Sequence, residues 1–188
     1  MKSFITGLIV GLLVIPVAGY FYVRSGRMPV ATSAPPLPLE RYIAHTALHA
    51  RLAKEAPKTV PMQATEDNLM AGADVYRNNC SGCHGLPARP SSTAADSFFP
   101  KPPQLFSNDD MVTDDPPGVT YWKVKNGIRL TAMPAFSSSL NSNQMWQVSL
   151  LLAQADKLPA AVQQKLAQPI GPPQTEDIVA KPQHKSGK

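Results

Sequence analysis

Both cysteines of this 188-residue chain lie in one short segment, Cys80-Ser81-Gly82-Cys83-His84. Two thiols three positions apart, followed directly by an imidazole, form the C-x-x-C-H pattern of covalent haem attachment. A redox dithiol or half a zinc site would also use such a cysteine pair. The chain has no second pair, no strand pattern leads into the motif, and the histidine follows at once. The segment therefore predicts one covalently bound haem c, with His84 as an iron ligand.

A second candidate ligand lies 49 residues after His84, on a loop that places Met133 directly before Pro134. A thioether is a soft, neutral ligand that favours reduced iron and raises its potential. The proline stiffens the backbone beside it. Met133 is therefore the predicted second axial ligand. Met70 and Met145 are predicted to fill core, and Met62 and Met111 are weak alternatives.

With these two motifs, residues 66–157 resemble the class I mono-haem cytochromes c, particularly the bacterial branch whose distal loop reads N-G-I-x-x-x-x-M-P. The resemblance implies an all-α cytochrome c fold, with N- and C-terminal helices packed across a loop-rich haem pocket. It implies axial ligation by His84 and Met133. It also implies that the Pro103 carbonyl accepts a hydrogen bond from His84 Nδ1–H and that Leu105 packs on the haem.

Further positions match the family, and one departs from it. Gly72 and Tyr76 lie where the family packs a glycine and an aromatic residue against the C-terminal helix, with Trp146 as the expected partner. Glycine suits this place because two backbones approach closely. The family's glycine before its methionine is Ala132 here, and we expect this change to tighten the loop and leave the ligand in place.

Two further pairs of side chains are candidates to bind a haem propionate or a metal. Trp122 and Arg129 lie near the distal loop, where either is a candidate to bond a haem propionate. Core filling by Trp122 and a surface position for Arg129 are equally good interpretations. His45 and His49 are four residues apart and share one helix face, which suits a metal or a second haem iron. A solvated or subunit-contacting face is the favoured interpretation, because no second C-x-x-C-H motif and no carboxylate motif accompanies them.

The amino-terminal flank opens with an uncharged run from Phe4 to Val23, and Arg24 and Arg27 follow. Twenty helical residues span roughly 30 Å, the thickness of a bilayer core. The run therefore predicts a transmembrane signal-anchor at residues 1–27. A cleaved signal peptide is the alternative, because residues 17–19 are small enough for a peptidase.

The remaining chain divides by composition. Residues 28–64 predict a proline-rich linker with a helix at about 39–56, and residues 65–168 predict the cytochrome c domain. The polar, proline-rich residues 169–188 predict a disordered tail. Helices are expected in the domain after Thr65, at 119–125, after Asn141 and from Pro159 to Leu166, and no segment shows convincing strand alternation.

The basic character of the chain belongs to its flanks. The whole chain carries a net charge of +5, yet residues 66–168 hold eight basic and nine acidic residues. A nucleic-acid-binding domain would carry its excess of cations on the domain itself. This distribution removes support for nucleic acid as a partner.

Members of the class I family carry single electrons, and their haem is attached outside the bacterial cytoplasmic membrane. The resemblance therefore predicts a membrane-tethered electron carrier with its haem domain on the periplasmic side. It would be a partner or subunit of a respiratory or photosynthetic complex, with redox proteins as partners and no small-molecule substrate. The alternatives are a soluble periplasmic cytochrome after signal cleavage, a haem enzyme or gas-binding protein with a labile Met133, and a scaffold subunit with a vestigial haem.

Overall fold

A computed structural model describes residues 2–107 and 112–169, without the side chains of residues 2–4, 6 and 8. Within these ranges the secondary structure is helical, apart from one isolated bridge between Leu86 and Arg89. The predicted all-helical class is confirmed. The helices are α1 (Lys2–Arg24), α2 (Glu40–Glu55), α3 (Glu66–Asn79), α4 (Ser81–His84), α5 (Pro117–Asn126), α6 (Ser142–Ala153) and α7 (Ala160–Ala167), with one 3-10 turn at Ala95–Ser97.

The chain divides into two compact units, Met1–Ala50 and Arg51–Lys188. The first unit holds α1 and most of α2. The last turn of α2 belongs to the second unit, together with all the later helices. The predicted linker helix is therefore present, and it ends within the unit that carries the C-x-x-C-H motif.

The predicted transmembrane helix is not supported. Helix α1 is present, but no helix in the described part of the chain is long and apolar enough to cross a membrane.

The core of the second unit is built on the crossing of α3 and α6. Gly72 lies at this crossing, where a Cβ would meet the backbone of Gln147 and the side chain of Leu151. Helix α5 packs on the other side of α6, and the rings of Tyr121 and Trp146 stack there with centroids 4.2 Å apart. The aromatic partner of Trp146 is thus Tyr121, on a helix for which the sequence predicted no such role.

Two helix starts follow directly from the sequence. The Thr65 hydroxyl accepts a hydrogen bond from the backbone N–H of Asn68, which caps α3. Asn141 and Gln144 form a reciprocal capping box at the start of α6. Each cap satisfies backbone N–H groups that have no partner inside the helix. The predicted starts of both helices are confirmed.

Helix α7 packs against α3 and is fastened at its carboxyl end by Arg77. The Arg77 guanidinium donates hydrogen bonds to the carbonyl oxygens of Lys165, Gln168 and Pro169, at 2.6–3.0 Å. Lys165 also pairs with Asp74 on α3, at 2.7 Å. The helix predicted after Pro159 is confirmed. Residues 170–188 of the predicted tail, including His184, lie outside the described residues, as does Met111.

Candidate haem site

The C-x-x-C-H motif lies on a single helical turn. Helix α3 ends at Asn79, Cys80 is its C-terminal cap, and α4 continues to His84. Gly85 stops the turn with φ +70°, a conformation that suits glycine. Both cysteines are free and half-buried. The helical turn therefore presents two thiols and an imidazole from one short piece of backbone.

A buried tyrosine of α3 stabilises this helical turn through a hydrogen bond. Tyr76 donates a hydrogen bond from its hydroxyl to the carbonyl oxygen of Gly85 at 2.9 Å. Its ring meets that of Phe106 edge to face, with centroids 5.0 Å apart. Burial, followed by the charge of Cys80, raises the pKa of Tyr76 above its ordinary value. The hydroxyl therefore stays protonated and keeps its hydrogen-bond donor.

His84 is oriented by a single backbone carbonyl. Its Nδ1 lies 2.8 Å from the carbonyl oxygen of Pro103, the contact that the family resemblance implied. A carbonyl oxygen only accepts, so Nδ1 carries the proton and Nε2 is left with a lone pair. Burial lowers the pKa of His84, although the bond to Pro103 opposes this shift. The imidazole is therefore held in the neutral form that binds metal.

The segment around Pro103 is itself tied to the motif by Gln104, a residue that sequence reasoning missed. The Gln104 side-chain oxygen accepts a hydrogen bond from the backbone N–H of Ser91 at 3.0 Å, and its amide nitrogen lies 3.5 Å from the Cys83 carbonyl. Leu105 follows, 8% exposed and within the core cluster. Only the position of Gln104 between Pro103 and Leu105 could have indicated its role.

The cysteine nearest the core sits in an apolar environment. Burial, together with the charge of Cys83, raises the pKa of Cys80 to about 12. A buried thiol resists ionisation because the thiolate loses its hydration. Cys80 is therefore held as a neutral thiol.

The loop that carries Met133 is closed by its own hydrogen bonds. Ile128 N–H donates to the Met133 carbonyl at 3.2 Å, and Met133 N–H donates to the Thr131 hydroxyl at 3.1 Å. Gly127 begins the loop with φ +66°, and a Cβ there would meet the Met133 carbonyl. Met133 is half-buried and packs against the core cluster that also contains Leu105. The loop therefore brings a thioether to the same core as the motif.

Haem c fits this set of donors. Two free thiols on one turn suit its two vinyl groups, and the Nε2 of His84 is the nitrogen left for the iron. Met133 supplies a soft sulfur from a separate loop. Leu105 adds apolar surface to the same core. These residues are the ones that would hold the cofactor.

The indole of Trp122 has a protein partner. Its Nε1 donates a hydrogen bond to the carboxylate of Glu55 at 3.2 Å. Glu55 lies in the last turn of α2, and it also accepts a hydrogen bond from Arg51. The Trp122 donor that was a candidate for a haem propionate is thus used by the linker helix. Arg129 lies exposed on the distal loop.

The turn that follows the linker helix α2 also contacts α5. Sequence reasoning missed this contact. A Cβ at Gly118 would meet the backbone of Pro57, so the two chain segments are in close contact. Leu52 is 5% exposed, although it lies in the predicted linker. The proline-rich composition around this turn concealed its packing.

His45 and His49 remain exposed on α2, with their rings stacked and their centroids 5.8 Å apart. No group of three or more His, Cys, Asp or Glu side chains suited to a metal ion occurs among the described residues. The pair thus has no third protein ligand in the part of the chain that the structure describes.

Residues 67–150 match the family described as cytochrome C oxidase, cbb3-type, subunit III. A chain of the reducing HAO-like protein complex Kustc0457/Kustc0458 of Kuenenia stuttgartiensis is 20% identical, with a TM-score of 0.44. That match covers 76% of this chain and 58% of the other. No curated protein matches the chain.

Proposed function

We propose that this chain, whose residues 67–150 form a cytochrome c domain, is a one-electron carrier with a single covalent haem. Cys80 and Cys83 would hold the haem covalently, and His84 and Met133 would bind its iron. One observation carries this proposal. The Pro103 carbonyl occupies Nδ1 of His84 at 2.8 Å, so the nitrogen that remains is the one suited to iron.

A bound haem supplies a one-electron couple between Fe(II) and Fe(III). The residues of the chain provide the rest. The Pro103 carbonyl fixes the tautomer and ring orientation of His84. Burial of Leu105 and of the α3–α6 core excludes water from one side of the site. The hydrogen bonds of Thr131 and Ile128 hold Met133 in its loop. With His84 and Met133 both holding the iron, the bound haem would supply electron transfer and not substrate binding.

The cellular setting is part of the proposal. Haem attachment in the resembling family takes place outside the cytoplasmic membrane, which supports a periplasmic haem domain. The matched family is described as a subunit of an oxidase. This description supports a role in respiratory electron transfer, either as a subunit of a larger complex or as its partner. Redox proteins would then be both the electron donor and the electron acceptor of the chain.

Absorption spectroscopy of the haem-loaded chain tests the ligand set. We expect one haem per chain, a ferric sulfur-to-iron charge-transfer band, and slow binding of carbon monoxide by the reduced protein. Replacing both Cys80 and Cys83 by alanine is expected to abolish covalent attachment. A missing charge-transfer band together with rapid carbon monoxide binding would instead indicate a haem enzyme or gas-binding protein.

A further inference from the structure

Helix α5 contacts the end of the linker helix along one of its faces. Gly118 and Trp122 are four residues apart on α5 and therefore share a face of this helix. A Cβ at Gly118 would meet the backbone of Pro57. One turn later, Trp122 Nε1 donates a hydrogen bond to the Glu55 carboxylate at 3.2 Å. Residues 51–57, which we call the brace, thus contact α5 at two successive turns.

The brace belongs to the same compact unit as α5 and is fixed there by burial. The Leu52 side chain is 5% exposed, and its carbonyl accepts a hydrogen bond from Ala56 N–H at 2.9 Å. The Glu55 carboxylate also accepts a bond from Arg51 Nε at 2.8 Å. Of its two donors, the indole of Trp122 is the one that joins Glu55 to another helix.

Another face of α5 packs on α6. Tyr121 stacks on Trp146 with ring centroids 4.2 Å apart, and Val124 is 4% exposed. Helix α5 is therefore held between the core and the brace. Loss of the contact with the brace would free one side of the helix.

The distal loop leaves and returns at the carboxyl end of α5. The Val124 carbonyl accepts a hydrogen bond from Phe136 N–H at 3.0 Å, just after the loop. Ile128 N–H donates to the Met133 carbonyl at 3.2 Å. A Cβ at Gly127 would meet this same carbonyl. Because these contacts join the loop to the end of α5, a shift of the helix would also displace Met133.

We propose that Glu55 is a positioning residue for Met133. Through Trp122 it fixes α5, and α5 fixes the loop that presents the thioether. This proposal rests on the proposed function, in which Met133 would bind the iron. Glu55 precedes residues 67–150, the segment that matches the cytochrome family. The linker thus contributes to a ligand that the haem domain carries, and its loss would let the sulfur leave the iron more often.

Carbon monoxide binding by the reduced, haem-loaded full chain measures how often the iron is free of the Met133 sulfur. Glu55→Ala and Trp122→Phe each remove one partner of the hydrogen bond, and both are expected to bind carbon monoxide about fivefold faster than the parent. That factor corresponds to about 1 kcal/mol, the typical net contribution of a hydrogen bond. Glu55→Gln keeps an acceptor oxygen and should bind at the rate of the parent. The double variant should match the single ones, because both changes remove the same bond.

Hydrogen exchange of the same chains reports on the loop independently of the iron. The amides of Ile128 and Phe136 are expected to exchange about fivefold faster in Glu55→Ala and Trp122→Phe, while those of α3 keep the rate of the parent. Asp74→Ala is the matched control, because it removes a carboxylate that pairs with Lys165 at 2.7 Å, between α3 and α7. This control should leave both measurements unchanged, which separates positioning of the loop from a general loss of stability.

Carbon monoxide binding at the rate of the parent in both Glu55→Ala and Trp122→Phe would overturn the positioning role, even if the parent shows the ferric charge-transfer band. Faster binding in Trp122→Phe alone would also overturn it, because the indole would then act without Glu55. Rapid binding by the parent itself, with no charge-transfer band, would contradict the proposed function.

Discussion

The chemistry of His84, the proposed iron ligand, depends on neighbouring groups that would not bind the metal themselves. Its ring lies 2.8 Å from the Pro103 carbonyl, and its pKa is lowered by burial. The first effect fixes which nitrogen is protonated, and the second keeps the ring neutral. Gln104 then links the Pro103 segment to Ser91 in the loop beyond the motif. One histidine thus relies on three neighbours for its chemistry.

Replacement of Met133 by alanine tests the second ligand. The reduction potential is expected to fall, because a thioether favours Fe(II) and the alanine side chain supplies no donor to replace it. The ferric charge-transfer band should disappear, as visible spectroscopy and a redox titration would show. Met70→Leu is the control, since Met70 packs partly buried against the same core on α3. An unaltered potential in Met133→Ala would assign the ligand to another residue, with Met62→Leu as the next variant.

Among the elements, the pair α3 and α6 determines the shape of the haem domain. Gly72 lets the two backbones approach until a Cβ would collide with the carbonyl of Gln147. Buried leucines and valines on both helices then fill the space along the crossing. The short helix α4 continues directly from α3, so the crossing also sets the position of the cysteine motif.

Gly72→Ala is expected to destabilise the chain by about 1–3 kcal/mol, the usual cost of forcing extra volume into a packed core. Guanidinium unfolding of the haem-loaded protein measures this loss. Gly19→Ala is the matched control, because Gly19 is helical and a Cβ there would have no neighbour within 4 Å. Equal stability of the two variants would show that the helices do not cross so closely.

The carboxyl end of helix α7 is held by hydrogen bonds from one side chain of α3, that of Arg77. Arg77→Ala removes donors to three carbonyl oxygens at the end of α7 and is expected to cost about 1.5–3 kcal/mol. Hydrogen exchange of the α7 amides should accelerate before that of α6. Arg89→Ala, at an exposed position in the loop after the motif, should leave both properties unchanged. Slow exchange of α7 in Arg77→Ala would mean that packing on α3 alone holds the helix.

At the scale of the whole molecule, the compact unit that carries the C-x-x-C-H motif begins before the predicted start of the haem domain. Residues 65–168 were expected to form the domain, while the second compact unit begins at Arg51. The buried Leu52, the Glu55–Trp122 hydrogen bond and the contact of Pro57 with Gly118 account for the difference. The linker therefore supports α5, whose Val124 carbonyl accepts a hydrogen bond from Phe136 just beyond the distal loop.

Two truncations distinguish these boundaries. A chain without residues 1–39 keeps α2 and is expected to unfold near the parent's denaturant midpoint, as followed by haem absorbance. A chain without residues 1–64 should lose about 1.5–3 kcal/mol, because burial of Leu52 is lost. If the two truncated chains were equally stable, the last turn of α2 would be dispensable for the domain.

The helical class, the caps at Thr65 and Asn141 and the candidate ligands could be predicted from the sequence, because each depends on residues close together in the chain. It also indicated the His84–Pro103 contact through family resemblance. The predicted transmembrane helix was wrong, since no helix in the described part of the chain is long and apolar enough to cross a membrane. Only the tertiary structure decided that Trp122 donates to Glu55, that Tyr121 stacks on Trp146 and that Leu130 is exposed at positive φ. The first two contacts join residues far apart in sequence, and the third feature depends on a local backbone conformation. The short-range periodicity of a sequence indicates neither.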